Sequence, residues 1–401
     1  MNGIVIVGAG QTGASLAAKL RTLGYNDNIT MIGEEPVPPY QRPPLSKGYL
    51  LGEMALERIY LRGPSFWEDQ KVNLRLGAAA TAIDRTAKSV RVGGQSIPYG
   101  QLALATGSRP RRLPAAIGGD LTGIYTVRTL ADVDAMAPDF VKGRRLLVIG
   151  GGYIGLEAAA VGAKLGLQVT LIEMAPRILQ RVAAPETSDY FRKLHTEHGV
   201  TILENTGVDR LTGKGRVAGA VLSDGSEIAV DFVIVGVGIT PLTLLAEEAG
   251  LDIDNGIRTD EFGRTSDPDI WAAGDCASFP YKGGRVRLES VGNAIGQAEV
   301  VAENMLGAGK SYEAKPWFWS DQYDVKLQIA GLNTGYDQIV TRGGGDAVSF
   351  WYYAAEKLLA VDAMNDARAY MIGKRLIEMG RSPDPAMIAD PAADLRILLK
   401  T

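Results

Sequence analysis

Cysteine is nearly absent from this chain: Cys276 is the only one in 401 residues. A single cysteine excludes an internal disulfide, a cysteine-type zinc site and a cysteine-ligated iron–sulfur cluster. Histidine is almost as scarce, with His195 and His198 alone, and no ordered carboxylates flank them; they read as a solvated helix end rather than metal ligands, so no metal site is expected. Charge of either sign is not in excess, since 42 Lys and Arg face 46 Asp and Glu for a net charge of -4. That balance gives no footprint for nucleic acid and no polybasic membrane anchor. No uninterrupted apolar run approaches the ~18 residues of a membrane span, and no basic leader precedes Ile4, so a cytoplasmic protein is expected. Low-complexity segments are missing too. With 46% apolar residues, the chain has enough to bury a large core spread over two or three domains.

Glycine, by contrast, is placed with purpose. The run Ile4-Val5-Ile6-Val7 leads into Gly8-x-Gly10-x-x-Gly13, with Gln11 and Thr12 between, and then into an Ala- and Leu-rich helical stretch. Gly8 permits a sharp turn, Gly10 lets a pyrophosphate approach the backbone, and Gly13 lets helix and strand pack closely. A second strand, Ile29–Gly33, ends at Glu34, whose carboxylate suits a ribose diol. The pattern repeats further on. Leu146–Ile149 is followed by Gly150, Gly151, Gly152, Tyr153, Ile154, Gly155 and Glu157, an Ala-rich helix, and a strand ending at Glu173. Two dinucleotide fingerprints in one chain are far more specific than one. Glu173 favours a free 2′-hydroxyl and repels a 2′-phosphate, which predicts NADH over NADPH; Arg177, four residues on, could soften that preference, though it reads rather as a solvated loop arginine.

Three further stretches accompany these folds. Residues 102–111 form an apolar strand ending in Ala105-Thr106-Gly107, and residues 233–241 form another bearing Gly236, Val237 and Gly238. A third, Ile270–Ala273, leads to Gly274-Asp275, a carboxylate placed to bind a polyol. Residues 38–50, PPYQRPPLSKGYL, hold four prolines, which make Arg42-Pro43-Pro44 a stiff connector able to aim Lys47. Trp317, Phe318 and Trp319 alternate as in a strand, so one face is core. The expected architecture is three-domain α/β: 1–108 with 239–315, an inserted 109–238, and a small α+β domain from 316. The strands of that last domain are read at 328–332, 337–343, 349–355 and 357–364, with a helix at 367–380.

Taken in order, these motifs, together with the YTVRTL, ESVGNA and PWFWSDQYD segments, resemble the FAD-dependent NADH:ferredoxin reductases of bacterial oxygenase systems over essentially the whole chain. The resemblance implies a glutathione-reductase-like fold, with two Rossmann-type domains and a small α+β C-terminal domain. It implies FAD on Gly8 to Gly13 and Glu34, with Ala80 at the adenine, Asp275 at the ribityl chain, and Glu289, Ser290 and Val291 closing on the ring. Arg42, Lys47 and Arg128 would flank the flavin, Lys47 near its N5 edge and paired with Glu157, with Trp319 against it on the electron exit path. NAD would lie on Gly150 to Gly155 and Glu173. Lys47, Glu157 and Trp319 are the catalytic candidates. The protein supplies close stacking for hydride transfer, not an acid or a nucleophile. With no cysteine pair available, electrons would pass singly to a [2Fe-2S] ferredoxin serving a cytochrome P450 or a ring-hydroxylating oxygenase. Other readings remain: a rubredoxin reductase or NADH oxidase, or an apoptosis-inducing-factor-like FAD- and NAD-binding signalling protein. The expected partner is a transient, acidic ferredoxin, with Arg62, Arg109, Arg111, Arg112, Arg285 and Arg287 as docking candidates and a monomer or weak dimer as the assembly.

Overall fold

The computed structural model describes residues 3–63 and 65–400. The chain divides into two compact units. The first takes the chain up to Gln41, Ala55–Arg109 and Ile239–Pro316; the second takes Arg42–Met54, Pro110–Gly238 and the chain from Trp317.

In the first unit, five parallel strands lie in the order Ile270–Ala272, Gln101–Leu104, Ile4–Val7, Ile29–Gly33, Val72–Leu76. Side chains alternate across such a strand. Ile4 and Ile6 therefore pack under Leu16, Ala17 and Leu20 of the Gln11–Thr22 helix and Ala298, Val301 and Ala302 of the Val291–Met305 helix. Val5 and Val7 face the opposite way, into a core with Val90, Val92 and Tyr99, where an antiparallel meander (Ala80–Asp84, Ser89–Val92, Gln95–Pro98) covers the sheet. Strand register matters for function. Val7 lies opposite both Ile32 and Leu104, so Gly8, Gly33 and Ala105 are the next residue along three neighbouring strands and share one edge.

The second unit repeats this plan. Its parallel sheet runs Thr201–Leu203, Gln168–Ile172, Arg145–Ile149, Phe232–Val235, Ile124–Tyr125, with the helix Tyr153–Lys164 following the central strand. A separate five-stranded antiparallel sheet is ordered Trp317–Gln322, Val325–Gly331, Lys357–Met364, Ala347–Ala354, Gln338–Gly344. The helix Ala367–Glu378 buries Ala369, Ile372 and Leu376 against Trp351, Tyr353 and Val361 of that sheet. Gly373 allows the approach, because a Cβ there would stand 2.6 Å from Val361 Cγ2. The strands read from sequence at 328–332, 337–343 and 349–355 are shifted or lengthened to Val325–Gly331, Gln338–Gly344 and Ala347–Ala354, the helix ends at Glu378 rather than at 380, and 357–364 agrees. Trp317–Gln322 is a further strand at one edge of the sheet.

Two sequence expectations fail here. His195 is fully buried in the Pro185–Glu197 helix rather than solvated at its end, because Gln322 and Tyr323 supply partners for both ring nitrogens. Arg177 is not a free loop arginine: it is partly buried and donates to Ser188 Oγ at 2.6 Å. Among the described residues no helix is long and apolar enough to cross a membrane, and no cluster of three His, Cys, Asp or Glu is arranged to hold a metal.

Candidate functional site

Both glycine fingerprints fold into the same device. At Gly8 φ is +120°, and a Cβ would stand 2.0 Å from the Ala105 carbonyl oxygen; at Gly150 φ is +107°, and a Cβ would stand 2.5 Å from the Gly236 oxygen. Gly13 and Gly155 each leave no room, a Cβ falling 2.0 Å from the oxygen of Gly8 and of Gly150 respectively. Gly10 and Gly152 differ: nothing lies within 4 Å of where their Cβ would be. Each is the N-cap of the following helix, without a side-chain cap and with no acidic residue in the first turn. The free N–H groups and the positive helix end therefore face open space, which suits a pyrophosphate.

Around the first cradle, Thr106 donates to the Leu242 carbonyl at 2.7 Å and Ser108 donates to Asp275 Oδ2 at 2.9 Å. Gly274, at φ +80°, brings Thr12 so close that a Cβ would meet its hydroxyl at 2.2 Å. Gln297 accepts from Gly274 N at 2.8 Å, yet its buried Nε2 has no protein partner. An orphaned buried donor and a helix end with an open glycine are the features a nucleotide cofactor satisfies, so these residues fit FAD. Gln11 donates to Ser15, Gly107 has φ +70°, and Glu34 is exposed just past its strand. Ala80 begins the meander, Glu289 is paired with Arg287, and Ser290 caps the helix that Val291 starts. Cys276 is buried with its thiol 3.3 Å from the Ala273 carbonyl oxygen, and burial pushes that thiol up, so it is not a reactive thiolate.

In the second cradle, Glu173 accepts from Gly151 N at 2.7 Å and from Ala175 N at 2.8 Å, which fixes a carboxylate beside the fingerprint. Tyr153 stacks on Phe318 with ring centroids 4.8 Å apart, and its buried hydroxyl has no protein partner. Ile154 and Val237 are both partly exposed apolar side chains, and Gly238 has φ +99°.

The third cluster, also within the second unit, surrounds Lys47. Pro43 and Pro44 open a short 3-10 turn, Pro43–Ser46, and Lys47 caps it. Lys47 Nζ lies 3.2 Å from Glu157 Oε1 and 3.2 Å from Asp321 Oδ2, with Trp319 5.8 Å from it. Ser46 donates to Glu157 Oε2 at 2.6 Å and Ser320 donates to Oε1 at 2.7 Å. Burial pushes the Glu157 carboxyl up, and Lys47 and the two serine hydroxyls oppose it. Arg42 donates to the Arg128 carbonyl at 2.5 Å. Trp317 and Trp319 stack on one face of their strand at 5.4 Å, while Phe318 and Ser320 occupy the other. Ser46, Ser108, Gln297, Ser320 and Asp321 escape sequence reading; only Ser46, adjoining Lys47 in the proline-stiffened segment, carries a local signal.

Comparison with known proteins decides the family. Residues 2–298 match the pyridine nucleotide-disulphide oxidoreductases, and residues 317–399 match the reductase C-terminal domain. The chain belongs to the pyridine nucleotide-disulphide oxidoreductase family. Members carrying that C-terminal domain bind FAD and a nicotinamide dinucleotide, and the protein is an oxidoreductase. A ferredoxin–NAD(P)+ reductase of Sphingomonas is 45% identical, covering 98% of this chain and 96% of its own. The putidaredoxin reductase of Pseudomonas putida is 40% identical over 99% of this chain and 96% of its own. Among solved structures, the covalent putidaredoxin reductase–putidaredoxin complex contains a chain of TM-score 0.96 and 39% identity, covering 100% of this chain and 98% of that one. The family's fold is the one described above, two nucleotide-binding α/β folds and a C-terminal antiparallel sheet with its helix.

Proposed function

We propose that this protein is an NADH:ferredoxin reductase, drawing electrons from NADH and passing them to a [2Fe-2S] ferredoxin that feeds a cytochrome P450 or a ring-hydroxylating oxygenase. The observation that carries this reading is the pair of open-glycine cradles in a chain whose one cysteine is buried and protonated. Two dinucleotides have places, and no sulfur relay does. Relatives named as ferredoxin reductases, two of them components of dioxygenase systems, support the choice of acceptor.

When bound, FAD supplies the chemistry of taking a hydride and giving up electrons one at a time. The chain's own residues bind, orient and hold charge. Gly8 to Gly13, Glu34, Ala80, Ala105 to Gly107, Gly274, Asp275 and Glu289 to Val291 are proposed to hold FAD. Gly150 to Gly155 and Gly236 to Gly238 are proposed to hold NADH, with Glu173 disfavouring a 2′-phosphate by like charge. Arg42, Lys47, Arg128 and Trp319 are proposed for the redox-active ring, Lys47 placed by its ion pair with Glu157. A fixed positive charge there favours the electron-rich form of a flavin. We assign an FAD domain to 1–108 and 239–315, an NAD domain to 109–238 and a C-terminal domain to 316–401, in a cytoplasmic monomer or weak dimer.

Cytochrome c reduction by NADH, with and without an added [2Fe-2S] ferredoxin, tests the assignment. Reduction that requires the ferredoxin is the expected result. Rapid oxygen consumption by the protein alone, a preference for rubredoxin, or slow turnover with a long-lived reduced complex would each replace the acceptor proposed.

A further inference from the structure

Behind Glu157 runs a file of buried polar side chains that the reading of Lys47 does not use. Ser320 Oγ donates to Glu157 Oε1 at 2.7 Å, and Gln322 Nε2 donates to Ser320 Oγ at 3.1 Å. Gln322 Oε1 lies 2.7 Å from His195 Nε2, and the Tyr323 hydroxyl lies 3.2 Å from His195 Nδ1. Ser320, Gln322 and His195 are all at 0% exposure. His198 stacks on Tyr323 with ring centroids 3.7 Å apart at the outer end.

The direction of every bond is fixed by the chemistry of its ends. An amide oxygen only accepts, so His195 Nε2 carries a proton. Burial holds the His195 pKa down to about 4, so the ring is neutral at pH 7 and Nδ1 is left to accept from Tyr323. The four donors, Tyr323, His195, Gln322 and Ser320, therefore all point toward the Glu157 carboxylate. Strand geometry makes this possible: Ser320 and Gln322 share one face of Trp317–Gln322, and Trp319 and Asp321 share the other, where Lys47 meets both. Aligned donors in a low-dielectric interior polarise one another and favour a negative charge at the accepting end.

We propose that His195 is a positioning residue that, through Gln322 and Ser320, holds Glu157 ionised and aimed at Lys47. The proposal rests on the role given above to the Lys47–Glu157 pair, and it adds three residues from the Pro185–Glu197 helix and the C-terminal sheet to that pair. The charged groups that face Glu157 are Lys47 and, across Lys47, Asp321; His198 faces the far end of the file.

Infrared spectroscopy of the FAD-loaded protein, titrated without NADH or ferredoxin, tests it. Loss of the carboxylic acid band in Glu157→Gln assigns the signal. His195→Leu should leave Glu157 roughly tenfold more protonated at a given pH, one pKa unit being tenfold. His195→Gln, which restores an N–H near the Nε2 position, should return the titration to that of the parent. Gln322→Met breaks the same file without altering the helix and should reproduce the His195→Leu result. An unmoved titration in both breaking variants would overturn the proposal, as would equal shifts in His195→Leu and His195→Gln, or a parent Glu157 already protonated at pH 7. A normal titration pattern in a protein that fails to reduce ferredoxin would instead fault the acceptor assignment alone.

Discussion

Lys47→Met isolates what the cation does for Glu157. At 3.2 Å and an effective dielectric of ~20, the pair is attracted by roughly 5 kcal/mol before desolvation. Breaking a buried pair from one side typically costs about 3–5 kcal/mol, because a charge is left buried and unpaired. The lower end applies here: the Lys47 side chain is 18% exposed, and Glu157 keeps the hydroxyls of Ser46 and Ser320. About 3 kcal/mol of unfolding free energy should therefore be lost at pH 8, measured by urea denaturation. The orphaned carboxyl can escape by taking up a proton. Its folded pKa already lies above the ordinary value through burial, and removing Lys47 raises it further. A carboxyl with a raised folded pKa adds stability at low pH and loses it as pH climbs through that pKa, so the deficit against the parent should shrink on acidification to pH 5. Adding Glu157→Gln to Lys47→Met should recover most of the loss at pH 8. A deficit of the same size at pH 5 and pH 8, or no recovery in the double variant, would show that Lys47 contributes only its packed stem.

Three further outcomes follow from particular residues. Gly152→Ala places its Cβ in open space, so the melting temperature should hold while the NADH dissociation constant, read by calorimetry, rises at least ~10-fold; Gly155→Ala meets the Gly150 oxygen at 2.0 Å and should lose both stability and binding. Glu173→Arg should move the ratio of kcat/KM for NADH over NADPH downward, and also loosen the loop, since the carboxylate holds Gly151 and Ala175; equal use of NADPH by the parent would refute the role given to Glu173. Asp362 is buried under Tyr352 and Thr187, and burial raises its pKa to about 6. Its protonated form is the one folding favours, so that contribution is present below the ordinary pKa and lost as pH rises through about 6. Asp362→Asn should gain on the parent between pH 4 and pH 7 by up to roughly 3 kcal/mol, about two pKa units' worth, and a flat difference in urea stability across that range would rule this out.

The sequence by itself determined the two nucleotide cradles, because each is local. A strand, a turn that only glycine can make, and a helix beginning at an uncapped glycine all fall within about 20 residues, and the Cβ distances at Gly8, Gly13, Gly150 and Gly155 are consequences of that short geometry. The lone cysteine likewise shows, without coordinates, that this chain cannot form an internal cysteine pair. The resemblance already paired Lys47 with Glu157, but tertiary structure alone decided which groups hold that carboxylate. Glu157 lies 111 residues from Ser46 and 163 from Ser320, and no period or spacing in the chain announces contacts of that reach. His195 reads as a surface residue from its polar neighbours, and it is buried because Gln322, 127 residues away, brings a partner that makes burial affordable. Residues 42–54 show the same division: their prolines foretell a stiff segment, but only packing, against the Tyr153–Lys164 and Leu130–Met136 helices, assigns them to the second unit instead of the first. Local sterics can be read in order along a chain, whereas the satisfaction of a buried charge depends on whatever distant groups the fold brings to it.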